Sequence, residues 1–247
     1  MNVDRTLGAA RIAALLFLCL AALGARPVDA GSIQVDPIRL DFEPGTTSAT
    51  LFVRNTGDAP AVLQAELNDW TMDETAERYS PTSALIVAPP VMTIAAGGEQ
   101  VVRLGLRTAA DPSRERAFRL FLTEVPPPPQ PGFRGLQVAI RVGIPVFLRP
   151  VVKAAPRLDW SAARTAPDKI TVVVANDGAT HVRLLSIEAS AAGAVLPPAT
   201  PGPAYVLAAS RRAFTFTTPP GAAAERVRVR FATEHGQQET EIGVAQR

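Results

Sequence analysis

Few residues of this chain could do covalent or metal chemistry. There are two histidines, His181 and His235, and one cysteine, Cys19. No HExxH, GxSxG, P-loop or GxGxxG pattern occurs. His235 sits in Thr233-Glu234-His235-Gly236, which reads as a turn. Trp70 and Trp160 lie far apart and read as packing residues. Aromatics make up 6% of the chain, and no carboxylate pair stands out, so neither a sugar-binding platform nor a hydrolytic site is expected. The expectation is a protein that is not an enzyme and needs no cofactor or metal. What the chain does offer is main-chain chemistry. From Leu136 to Pro150, LQVAIRVGIPVFLRP, the residues Leu136, Val138, Ile140, Val142, Ile144, Val146 and Leu148 alternate with the rest. Strict period two gives one apolar face on a strand, and fifteen residues would span about 50 Å. A small sandwich cannot bury a face of that length, so part of it should be offered to something else. Pro145 has no N–H and calls for a free edge or a bend. A long apolar edge is a hazard that proteins normally blunt, so keeping one points to edge pairing as a function. The plainer reading is a strand shared by two sheets or running on into a linker.

The elements around this stretch set its context. Arg5 and Arg11, the apolar run Ile12–Ala25 and the small residues Val28-Asp29-Ala30 read as a signal peptide over residues 1–30, with a mature start at Gly31. Fourteen apolar residues are short for a membrane span. The lone Cys19 falls inside that run, and its Leu16-Phe17-Leu18 flank does not fit a lipidation site. Without residues 1–30 the chain keeps 25 − 3 = 22 basic and 23 − 2 = 21 acidic residues, net +1. That balance gives no reason to expect nucleic acid or a membrane surface as partner.

Beyond the signal, short alternating runs are separated by Gly, Pro, Asn and Asp, so the expected class is all-β. Strands are expected at Ser32–Phe42, Ala49–Asn55, Ala61–Trp70, Leu85–Met92, Val101–Leu106, Ala117–Val125 and the long run. Pro37 in the first of these demands an edge, a bulge or a switch between sheets. Met72–Ser83 reads as a polar loop, and Pro126–Gly135 as a stiff Pro-rich one. Pro150–Pro156 reads as a boundary. Further strands are expected at Lys169–Ala175, His181–Ala189, Tyr205–Leu207, Ala213–Thr217, Glu225–Thr233 and Glu239–Ala245. Close, turn-marked spacing in both halves predicts two Ig-like β-sandwich domains, 31–152 and 153–247.

Four segments in order, IQVDPIRLDF, APPVMTIAAGGEQVVRLGL, RERAFRLFLTEVPP and LQVAIRVGIPVFLRP, together resemble the periplasmic pilus chaperones of the chaperone–usher pathway, the PapD-like proteins. A weaker match continues at Val174-Ala175-Asn176 and Thr233-Glu234-His235-Gly236. The resemblance implies two Ig-like domains in an L or boomerang arrangement. It implies an ATP-independent chaperone of the periplasm that binds pilin (fimbrial) subunits, lends a strand to complete their fold, and delivers them to an outer-membrane usher.

Carried onto this sequence, the lent strand falls on Leu136, Val138 and Ile140, with Val142 as an extension. The family anchors the pilin's terminal carboxylate with two basic residues. Arg39 matches the first, and a guanidinium there can bind a carboxylate through two parallel hydrogen bonds. The second falls on Pro145, which has neither charge nor donor. Arg119 on the neighbouring strand is the preferred substitute and Arg141 the second. This departure resembles the archaic-type branch of the family. An ionic cluster between the domains is implied at Arg103, Glu115 and Glu234. Two other readings stand beside this one: an exported structural or adhesive Ig-like subunit, and an exported carbohydrate-binding or hydrolytic sandwich protein.

Overall fold

The computed structural model describes residues 33–127, 138–199, 202–219 and 224–246. The signal peptide, the start at Gly31, most of the Pro-rich loop, Leu136 and Gln137 lie outside these. Among the described residues there is no helix.

The first expected strand divides at Pro37. β1 (Ile33–Asp36) and β2 (Leu40–Phe42) join different sheets, with the Asp36–Pro37 peptide cis between them. β3 (Ser48–Asn55) and β4 (Ala61–Met72) follow. The polar segment after Met72 is not a loop: β5 (Glu77–Pro81) returns antiparallel along β4. Its residues are polar because both faces of this outer strand meet water, so it lacks the alternation that marks a half-buried strand. β6 (Leu85–Ala88), β7 (Val91–Ile94), β8 (Glu99–Leu106) and β9 (Arg116–Glu124) lead to β10 (Arg141–Leu148). One sheet runs β1-β3-β8-β6, and the facing sheet runs β2-β10-β9-β4-β5 with β7 on β4. Between them Phe42, Leu51, Val53, Leu63, Leu104, Phe118, Leu120 and Val146 are buried.

The second half holds β11 (Leu158–Ala166), β12 (Lys169–Asn176), β13 (Val182–Ala191), β14 (Ala194–Leu196), β15 (Ala204–Val206), β16 (Ser210–Thr217), β17 (Arg226–Thr233) and β18 (Gly236–Gln246). Sequence periodicity misses β11 and β14. All eight form one continuous ladder, β14-β13-β17-β18-β11-β12-β16, with β15 on β13. The long β18 makes the fold-over: its body pairs with β17, and its end, Val244–Gln246, pairs in parallel with β11. Ile170, Val172, Val174, Val206, Phe216, Val227 and Val229 fill the second core. The fold is therefore all-β with two Ig-like sandwiches.

Each sandwich is pinned by a buried asparagine at a strand end. Asn55 donates to the carbonyls of Ala59, Ile94 and Ala95 and accepts from the N–H of Gly57. Asn176 donates to those of Thr180, Val206 and Leu207 and accepts from the N–H groups of Arg157 and Gly178. Both are 0% exposed. Each amide satisfies carbonyls that would otherwise be orphaned in the core. The Asn-x-Gly signature reads as a turn in sequence; its burial depends on distant strands.

The halves meet in a small third cluster. Trp70, Phe147 and Leu207 are buried there, with Met72, Ala117 and Tyr205 around them. Phe147 is on the face of β10 that alternation assigns to the polar side. It is buried because the second sandwich covers it.

Candidate functional site

The long alternating run is shorter as a strand than its pattern suggests. β10 spans Arg141–Leu148, and Val138, Ala139 and Ile140 are outside regular strand, although the Glu124 N–H still donates to the Ile140 carbonyl. Leu136 lies outside the described residues. Ile144, Val146 and Leu148 fill the first core, and Val142 packs at its margin. The same apolar face then runs out of the sandwich: Ile140 is half-buried and Val138 is 70% exposed.

The edge is open over the same stretch. On one side β10 pairs with β9 from Arg141 to Leu148. On the other side β2 runs parallel to it, but only along Val146–Leu148. Among the described residues, nothing pairs with that side from Arg141 to Pro145. Pro145, paired with Arg119 across β9, stands at the last open position, where a missing N–H costs the sheet least.

Arg39 is not free. Its Nε lies 2.9 Å from Asp41 Oδ2 and its Nη1 2.7 Å from Glu234 Oε1 on the β17–β18 turn. Burial works against its charge, and the carboxylates of Asp41 and Glu234 more than offset that, raising its pKa. Arg149 extends the chain of charges, with Nη2 3.2 Å from Asp41 Oδ1 and Nε 3.2 Å from Glu43, the latter an ion pair without hydrogen-bond alignment. Sequence reading passed over Asp41 and Arg149, since their neighbours are set by the fold.

Arg119 is also engaged. Its guanidinium lies 3.7 Å from the centre of the Trp70 ring, and its Nη2 is 3.1 Å from Glu77 Oε2. Its side chain is 12% exposed. Arg141 stacks on Phe121 at 3.9 Å and makes no ion pair among the described residues. It is an exposed cation beside the open edge.

The implied cluster of Arg103, Glu115 and Glu234 does not assemble. Arg103 points from the exposed side of β8, opposite Thr50 and Ala88, and makes no ion pair among the described residues. Glu234 goes to Arg39 instead. Glu115 is almost wholly buried and takes His181: Oε1 accepts the His181 N–H at 3.0 Å and lies 2.7 Å from its Nδ1. The His181 ring stacks on Phe147 at 3.6 Å. Strand order explains the misreading: β8 is in the sheet away from β10, whereas Glu115 borders β9 in the sheet that faces the second sandwich. His181, given no role from sequence, is the residue that completes this contact.

Among the described residues no group of His, Cys, Asp or Glu is arranged to hold a metal ion, and no helix is long and apolar enough to cross a membrane.

Comparison with known proteins gives a consistent result. Residues 32–153 match the family described as pili and flagellar-assembly chaperone, PapD N-terminal domain. Chaperone protein FimB/FhaD of Bordetella pertussis is 29% identical over 199 residues, covering 77% of this chain and 79% of that protein. A chain of the chaperone–tip adhesion subunit pre-assembly complex CsuC–CsuE, from archaic chaperone–usher Csu pili of Acinetobacter baumannii, superimposes with a TM-score of 0.65 at 21% identity, covering 87% of this chain and 99% of that one. A chain of the Salmonella enterica SafA pilin–SafB chaperone complex does so with a TM-score of 0.59 at 19% identity, covering 87% and 98%. These structural likenesses speak to fold, and the match over residues 32–153 speaks to family: that segment belongs to the pili and flagellar-assembly chaperones as their PapD N-terminal domain.

Proposed function

We propose that this protein is an ATP-independent chaperone of the periplasm that holds pilin subunits through its β10 edge and passes them to an outer-membrane usher. The observation that carries the reading is the half-open strand: β10 is a full member of its own sheet through β9, yet bare from Arg141 to Pro145 on the other side. An incoming strand can take up those main-chain groups. The apolar face that leaves the sandwich at Val142, Ile140 and Val138, with Leu136 beyond, then supplies side chains to the client's unfilled groove. Each large aliphatic so buried contributes about 1.5–3 kcal/mol before ordering costs.

Arg39, Arg119 and Arg141 are the cations assigned to the client's terminal carboxylate. Arg119 has the support of standing opposite Pro145, and Arg141 that of being exposed and without an ion pair among the described residues. The division at 152/153 is supported by the two separate cores, and the archaic-type branch by the proline at 145. No catalytic role is assigned to the protein.

The test is capture from the periplasm of cells making pili, with mass spectrometry of what is retained. The wild-type protein should hold a small exported subunit, and Val138→Asp/Ile140→Asp should lose it while keeping its circular dichroism spectrum. Retention by the folded double mutant would refute the lent-strand mechanism. Absence of any such subunit would favour a structural Ig-like protein.

A further inference from the structure

Three donors from both sandwiches converge on the carboxylate of Glu77. Arg119 Nη2 on β9 is 3.1 Å from Oε2, and the Tyr79 hydroxyl donates to the same oxygen. Arg212 Nη1, on β16 of the second sandwich, is 2.9 Å from Oε1. Burial disfavours the ionised carboxyl; the hydrogen bonds from Tyr79 and Arg212 and the charges of Arg119 and Arg212 outweigh it, so Glu77 is held below the ordinary glutamate range.

Both arginines are held in place without Glu77. Arg119 lies flat on Trp70, and Arg212 Nη1 also donates to the Tyr205 carbonyl at 3.1 Å. Two guanidinium forks fixed in this way form a cradle for one carboxylate, with a positive charge left over. Glu77 is tied only through its side-chain contacts and the β4–β5 ladder at the rim of the sheet. It belongs to the outermost strand of its sheet, whose other residues are exposed. Beside it, a cavity of about 330 Å³, lined by Glu77, Arg212, Met72 and Phe214, leaves room for the side chain to turn away.

A path joins this cradle to the open edge. Arg119 stands opposite Pro145, and its Cδ lies 3.4 Å from where a Gly143 β-carbon would be. Across from Arg119 the surface of β10 carries Gly143 and Pro145; the Phe121 ring leans over Gly143, its Cε1 3.2 Å from where a β-carbon would be, so the approach from the bare side to Arg119 runs over Pro145. A strand seated on the edge would lie about 10 Å from β9, two strand spacings. A chain end and an arginine can meet across that distance.

We propose that Glu77 is an internal stand-in for a client's terminal carboxylate, which displaces it to bind Arg119 and Arg212 together. This rests on the lent-strand reading and adds to it a competed site built from both sandwiches. Glu77 thereby sets a threshold: a client that brings a carboxylate exchanges one anion for another, and a client without one leaves the latch closed.

The probe is a synthetic acetylated nonapeptide of alternating valine and serine, made as the free acid, as the C-terminal amide, and as an amide with a penultimate aspartate. Binding to the purified protein is followed by calorimetry. Glu77→Gln should bind the free acid about tenfold more tightly than wild type, the size expected for hydrogen bonds to a charged group, and bind the amide unchanged. Adding Arg119→Gln or Arg212→Gln should abolish the gain. If Glu77→Gln is unstable, Glu77→Asp, which draws the carboxylate back, should shift affinity in the same direction. A preference for acid over amide that Glu77→Gln leaves unchanged would overturn the proposal while sparing the lent strand. Failure of every peptide to bind would overturn both. Equal gain for the aspartate amide would overturn the assignment to a chain terminus.

Discussion

Replacing Gly178 by alanine should destabilise the protein sharply, although Gly178 has no side chain to lose. A β-carbon there would lie 2.4 Å from the Ala155 carbonyl oxygen, 2.4 Å from the Arg157 nitrogen and 2.6 Å from the Pro156 α-carbon. All three are backbone atoms of the segment that carries the chain from the first sandwich into β11, so no side chain can swing aside. Ordinary contact begins near 3.4 Å, so the segment must retreat by 3.4 − 2.4 = 1.0 Å. That retreat takes the Asp177 N–H to Arg157 carbonyl bond, now 2.9 Å, and the Ala179 N–H to Ala155 carbonyl bond, now 3.3 Å, out of range. The Arg157 N–H to Asn176 Oδ1 bond, at 3.1 Å, goes with them. Three bonds at about 0.5–1.5 kcal/mol each give about 2–4 kcal/mol, which overlaps the usual overpacking cost of about 1–3 kcal/mol. At roughly 2–4 °C per kcal/mol for a chain of this size, Tm should fall by about 4–16 °C. The assay is thermal unfolding by circular dichroism beside Gly243→Ala, whose β-carbon would meet nothing within 4 Å. A folded Gly178→Ala protein within about 2 °C of wild type would refute the close approach.

Other expectations follow from the same geometry. Glu115→Ala should cost about 2–4 kcal/mol, because it strands the N–H and the ring of His181 in a buried seam; urea unfolding followed by tryptophan fluorescence measures it, and a loss under about 0.5 kcal/mol would count against the contact. Asn55→Ala and Asn176→Ala should each cost about 2–3 kcal/mol by leaving buried carbonyls unpaired, with equal effects on the two cores; calorimetry of the single mutants tests this. The Glu77 latch should depend on pH. A carboxyl with a lowered folded-state pKa contributes its stability above the ordinary value near 4.5 and loses it as pH falls through the lower folded value. The Tm gap between wild type and Glu77→Gln should therefore be widest near neutrality and close in acid, and a gap constant with pH would contradict the pairing.

The sequence discloses what is local. Period-two alternation finds most strands, and Pro37 narrows its strand to an edge, a bulge or a sheet switch, of which the structure has the switch between β1 and β2. The core face of β10 follows from parity from Val142 to Leu148. What it hides is set by contacts across long separations. Phe147 sits at a polar-parity position and is buried only because Leu207 and Tyr205 arrive from the other sandwich. Arg39 reads as a free cation because its partner Glu234 is 195 residues away. β5 is invisible to pattern because both its faces are wet. The cluster that the resemblance implied at Arg103, Glu115 and Glu234 is not brought together, because β8 joins the sheet away from β10 while Glu234 pairs with Arg39 and Glu115 with His181.

The half-open state of β10 bears on how often one molecule can act. Its ladder with β9 is complete from Arg141 to Leu148 while the opposite side stands open from Arg141 to Pro145 among the described residues. On the lent-strand mechanism proposed above, a departing client breaks bonds only along the bare stretch, and the strand it borrowed never leaves its own sheet. That mechanism leaves the protein folded, with nothing to rebuild before the next encounter, and so calls for no fuel in its turnover. The drive for release then has to come from the client, through whatever replacement strand fits its groove better than the loan did.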